Sequence, residues 1–139
     1  IISLCLLLLL SFTSHAEMPQ GRWIIEQVSI EKNTDGNIET YIYKTAADVI
    51  SHIPCPQKWE IKDFENIILH YPDDTEEIAK FAIEGNLLVI NAAGMIQSYQ
   101  YSINNENLVL SITHKYGYNH PEEGVKRVEE KWNIILKKG

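Results

Sequence analysis

Two cysteines in 139 residues leave no framework for a disulfide-stapled fold. Cys5 lies inside an apolar N-terminal run, and Cys55 stands between Pro54 and Pro56. With the run removed, Cys55 is alone and reads as a packed thiol rather than a nucleophile. Positive charge is also scarce. Twelve Lys and Arg face nineteen Asp and Glu, for a net charge of −7, and the basic residues are dispersed. Nucleic acid and anionic lipid surfaces demand concentrated basic patches, so neither is an expected partner. Signatures of catalysis are missing as well. There is no Gly-x-Ser-x-Gly elbow, no His-Glu-x-x-His and no glycine loop for phosphate. No catalytic residue and no cofactor is assigned, and a non-enzymatic protein is expected.

The first sixteen residues are of a different kind. Ile1 to Leu10 form an uncharged apolar run, and Ser14-His15-Ala16 sets small residues three before and one before a cut. That pattern predicts a signal peptide over 1–16, removed after Ala16, and an exported protein, periplasmic or secreted. The run is too short to span a bilayer. With neither an initiator Met nor a basic leader ahead of it, a few further residues are expected upstream. Cys5 follows Leu4 and precedes five leucines, so lipid attachment is not expected there. No second apolar segment exists, so the cleaved domain has no expected membrane span.

The remainder, 17–139, has the length of one domain and can bury roughly two-thirds of its unfolded surface. Strand-like runs alternate with turn signals. Strands are predicted over 21–32, 38–44, 57–63, 64–71, 76–84, 87–91, 95–103, 108–116 and 125–137, with loops at 33–36, 72–75, 104–107 and 117–124. Gly85-Asn86 marks a tight hairpin. Thr45 to Ile53 is the one helical candidate, with Asp48 three residues after Thr45 and Pro54 barring continuation. In that helix Val49, Ile50 and Ile53 would face inward, as a lid or as ordinary packing. Alternation sorts the strand faces: Leu108, Leu110, Ile112, His114 and Tyr116 share one, and Val128, Glu130, Trp132, Ile134 and Leu136 share another. Eight or nine antiparallel strands with one short helix predict an all-β, up-and-down barrel, because closure hides the edges.

Gly21-Arg22-Trp23 opens the first strand of this domain. A Gly-x-Trp at that place, followed by about eight meandering strands, resembles the lipocalin-like superfamily, and most closely its short exported domains from Gram-negative bacteria. The resemblance spans 21–138. It implies a barrel whose base is turned by Gly21 and plugged by Trp23, with the other end open to a small hydrophobic ligand. Many lipocalins stack an Arg on that Trp after the last strand. Here antiparallel pairing of the first and last strands would bring Trp23 near Leu136, with Lys137 or Lys138 over the indole and Arg127 at the far end.

The candidate ligand-binding residues are Trp59, Phe81, Tyr99, Tyr101, Ile112, His114 and Trp132, with Ile42, Ile61, Ile83, Leu110 and Ile134 as further lining. An eight-stranded barrel either fills with such side chains or holds one small ligand, and both readings stay open here. In the alternative, a filled barrel docks a protein or envelope component through Tyr41, Tyr43, Tyr116 and Tyr118. No particular protein partner is indicated. His114 and His120 lack a compact ligand spacing, so no metal is assigned. Asp73, Asp74, Glu76 and Glu77 read as a solvated turn. Glu129, Glu130 and Lys131 read as strand-surface charges, with Glu130 at a barrel rim.

Overall fold

The computed structural model describes residues 18–51 and 53–139. The expected signal peptide lies outside the described residues. Nine strands follow in chain order: β1 (Gly21–Thr34), β2 (Asn37–Tyr43), β3 (Lys58–Ile61), β4 (Asn66–His70), β5 (Glu76–Glu84), β6 (Leu87–Ala92), β7 (Met95–Asn104), β8 (Asn107–His120) and β9 (Gly124–Lys138). All neighbours pair antiparallel. Closure comes from β1 against β9, in register from Trp23 opposite Lys138 to Thr34 opposite Val128. The barrel therefore has eight staves, β1 and β3 to β9, with β2 as an extra strand. Among the described residues no helix is long and apolar enough to cross a membrane.

The extra strand departs from a simple up-and-down order. One edge of β1 serves two partners. Gly21 to Ile24 pair with β3, and Val28 to Thr34 pair with β2. Between them lies a β-bulge, where the register against β9 shifts between Ile25 and Gln27. A bulge bends its strand and adds twist. Below it β1 is a barrel stave; above it β1, β2, β8 and β9 continue as a flared sheet.

The bulge and the β2 register decide which residues face inward. Ile30 pairs with Tyr41 and Val28 with Tyr43, whereas Ile42 lies opposite Ser29. Tyr41 and Tyr43 therefore share the inner face with Ile30. Ile42, expected to line the interior, instead points outward and is 61% exposed.

The segment expected to be helical forms one 3-10 turn, Ala46–Asp48. The Thr45 hydroxyl donates to the Asp48 carboxylate at 2.9 Å and caps no backbone N–H. Val49 is already extended. A helix this short is marginal without tertiary support, and four of the nine residues expected in it are β-branched. The chain must also travel from the end of β2 across to β3, which an extended path does in fewer residues. Val49 and Ile53 pack on the core as expected, while Ile50 is exposed.

The loop expected over 117–124 is mostly ladder. Gly117 to His120 pair with Gly124 to Arg127, leaving a three-residue turn. His120 Nδ1 accepts the N–H groups of Glu122 and Glu123 at 3.2 and 3.1 Å. Gly117 and Asn119 carry no strand pattern of their own. The adjoining ladder extends through them because it satisfies their backbone groups.

Inside, the lower barrel is solid. Val28, Ile67, Leu88, Leu108, Leu110 and Leu136 retain 0% of their accessible surface, so no water-sized gap opens against them. The floor is sealed as the Gly-x-Trp reading expects. Gly21 takes φ +105°, a backbone conformation that a Cβ disfavours. The Trp23 indole donates to the Pro19 carbonyl at 2.9 Å, and the Lys138 ammonium lies 5.6 Å from its ring centre. Lys138 thus holds the place expected for Lys137 or Lys138.

Each fully buried leucine contributes about 1.5–3 kcal/mol through burial. Leu110→Ala is expected to cost about 2–5 kcal/mol in urea unfolding. Ile78→Ala, at a residue 71% exposed on the outer wall, should stay within about 0.5 kcal/mol. Equal losses at the two positions would contradict this division of inner and outer faces.

Candidate functional site

The flared sheet presents an inner face that the barrel wall does not close. β1 supplies Ile30 and Lys32, β2 supplies Tyr41 and Tyr43, β8 supplies Tyr116 and β9 supplies Glu130. Across the gap runs the connection from β2 to β3, contributing Ile50 and Ser51. Together these eight residues enclose a cleft of about 490 Å³. The volume falls within the range of small-molecule sites, roughly 300–1,000 Å³. Its walls are mostly aromatic and aliphatic, with Tyr41 and Tyr43 stacked at 6.4 Å between ring centres.

Glu130 is the notable group, because it is a carboxylate only 3% exposed. Strand alternation puts it there, since Val128, Trp132, Ile134 and Leu136 share its face. Three neutral donors hold it. Tyr116 donates its hydroxyl at 2.5 Å, the Trp132 indole N–H at 3.1 Å and the Ser51 hydroxyl at 3.3 Å. The last of these ties the β2–β3 connection to β9. Burial, and then the bond to Glu130, raise the Tyr116 phenol above its usual range. His114 lies edge-on to Trp132 with ring centres 5.7 Å apart. Burial holds its imidazole below the ordinary value, with Glu130 pulling the other way.

The sequence candidates divide by height. Trp132 donates to Glu130, His114 stands opposite Glu130 and Ile112 opposite Trp132, but none of the seven candidates lines the cleft. Trp59, Phe81, Tyr99 and Tyr101 lie lower and belong to the packed core. Trp59 and Tyr99 meet across the interior in an edge contact at 5.3 Å. The Trp59 indole N–H and the Tyr101 hydroxyl are buried with no partner among the described residues. Tyr99 also borders a smaller cleft of about 230 Å³, beside Ile53, Pro54, Pro56 and Tyr71. The β2–β3 connection thus runs between two openings. Its Cys55 is buried, and burial alone pushes the thiol up to about 12, so it stays protonated at neutral pH.

The sequence reading missed Tyr41, Tyr43 and Ser51 as lining residues, and placed Glu130 only at a rim. Glu130 was accessible from its parity with Trp132. Tyr41 and Tyr43 were not, because their inward direction follows from the β2 register. A larger depression, about 580 Å³, lies on the outer wall. Short polar side chains such as Ser29, Thr40, Ser98 and Asn133 line about half of it, and two of the sequence candidates, Ile112 and Trp132, also border it.

A second constellation lies outside the barrel. Glu60, 6% exposed, is reached by His70 Nε2 at 3.1 Å, Lys62 Nζ at 3.3 Å and Arg22 Nε at 3.5 Å. His70 Nδ1 reaches Glu76 at 3.1 Å. The group clasps β1, β3, β4 and β5. The His70 hydrogen bond, then Lys62 and Arg22, hold the Glu60 carboxyl below its usual range against the opposing effect of burial. A depressed carboxylate stabilises the fold above its unfolded value, near 4.3, and that contribution is lost as pH falls through the folded value. Glu60→Gln is therefore expected to lower the melting temperature at pH 7. Its difference from the parent should shrink steadily below about pH 4.3. A difference unchanged down to strongly acidic pH would remove Glu60 from this role.

Compared with protein-family models, with curated proteins and with solved structures, the chain matches none. Its closed eight-stranded antiparallel barrel, with one added strand, is an architecture compatible with the calycin-like barrels.

Proposed function

We propose that this protein is an exported, non-enzymatic barrel that holds a small amphipathic molecule in its mouth. The carrying observation is the cleft of about 490 Å³ walled by Ile30, Tyr41, Tyr43, Ile50 and Tyr116 above a solid core. A ten-carbon amphiphile of about twelve heavy atoms, at roughly 0.5 kcal/mol per atom, gains about 6 kcal/mol. That corresponds to a dissociation constant in the tens of micromolar. The apolar run from Ile1 to Leu10, within the segment 1–16 read as a signal peptide, supports export.

Isothermal calorimetry with ten-carbon amphiphiles below their micelle concentrations tests the reading. Saturable binding is expected for at least one of them, and Tyr43→Ala should weaken it about tenfold by removing an aromatic wall. Absence of saturable binding across neutral, cationic and anionic head groups would overturn the proposal.

A second reading has its own observation. β2 is the terminal strand of the sheet, and it exposes Ile38 and Ile42 at 57% and 61%. Its sequence carries one charge and no Pro, so nothing blunts the edge. Two copies paired antiparallel about Thr40 would set Ile38 against Ile42 and Glu39 against Tyr41, with no like charges facing. In this reading the barrel is a self-associating module. Sedimentation should then show a dimer that Ile42→Lys dissociates. A monomer at every concentration up to about 100 μM, well above the dissociation constant of a specific dimer, would discard it.

A further inference from the structure

The cleft in the mouth is not neutral, and its charge selects among amphiphiles. Resting on the ligand-holding reading above, we infer that the bound molecule carries a protonated amine, placed against Glu130 and the rings of Tyr41, Tyr43 and Tyr116.

The first argument is charge balance. Glu130 lines the cleft and is almost wholly buried, and its described partners are a phenol, an indole and a serine hydroxyl. None of the ion pairs among the described residues includes it. A carboxylate offers about four acceptor positions, and the described partners take two on Oε1 and one on Oε2, so Oε2 can accept one further N–H beyond them. Neutral donors stabilise a buried anion without cancelling its charge, and a cation entering the same space does both.

The second argument is the wall. Aromatic faces attract cations through their quadrupole, and three tyrosines border this cleft. A fatty acid would instead bring a second carboxylate toward Glu130, at a cost in repulsion.

Among the described residues two cationic candidates stand opposite Glu130. Lys32 lies opposite it across β1 and β9, and lines the cleft without forming an ion pair with it. Its long stem lets the ammonium extend to solvent while the methylenes stay against the wall. Burial holds the His114 imidazole below its ordinary value, against the pull of Glu130. Neither forms an ion pair with Glu130 among the described residues.

The experiment compares decylamine, 1-decanol and decanoate by calorimetry at pH 7.4, with the parent protein and Glu130→Gln. Decylamine is expected to bind at least about tenfold more tightly than 1-decanol, with decanoate weakest. In Glu130→Gln that advantage should fall to within about threefold, while 1-decanol binding changes little. Equal binding of amine and alcohol to the parent protein would overturn the inference and leave the ligand-holding reading standing. Binding by none of the three would overturn that reading itself. Should Glu130→Gln not fold, equal binding of amine and alcohol to the parent protein still overturns the inference.

Discussion

β1 is bonded to three strands, and the rest of the molecule depends on that sharing. Its full length pairs with β9, which closes the barrel. Its other edge belongs first to β3 and then to β2. A strand edge can bond only one neighbour at each position, so β2 and β3 must diverge where β1 changes partner. The bulge between Ile25 and Gln27 lies at that change and bends the strand away. On the side of the bulge where β1 pairs with β2, Ile30, Val128, Glu130 and Trp132 are still buried, and the cleft opens beside them.

The connection from β2 to β3 follows from the same geometry. It has to cross the gap that the divergence creates, and after the 3-10 turn Ala46–Asp48 the chain is extended again at Val49. Val49 and Ile53 anchor it on the core, and Ser51 ties it to Glu130. The carboxylate therefore serves two purposes. It joins the crossing segment to β9, and it sets the polarity of the space underneath. Burying a charge is costly unless it is fully bonded, and the three donors around Glu130 limit that cost. Trp132 and Tyr116 thereby acquire hydrogen-bond partners that their buried polar tips need.

Much of the fold was legible in alternation. Leu108, Leu110 and Ile112, and Trp132, Ile134 and Leu136, declare their inner faces without reference to any partner. Gly21 and Trp23 declare the floor, and the pairing of the first strand with the last followed from closure. The site was less legible. Trp59, Phe81, Tyr99 and Tyr101 are inward residues, as expected, but they lie in the packed part of the core. Aromatic character and inward parity do not distinguish a wall from a filling, since both require the same residue types. Height along the barrel makes the distinction, and height depends on register between strands.

By itself, then, the sequence determined strand number, face and the sealing indole, because these are set by residues two apart on one strand and by local turn chemistry. The split of β1 between two partners, the inward turn of Tyr41 and Tyr43, the outward turn of Ile42 and the arrest of the expected helix at the single turn Ala46–Asp48 were decided only in three dimensions. Each is fixed by which distant backbone groups hydrogen-bond to which. A pattern that repeats every two residues carries no record of that choice.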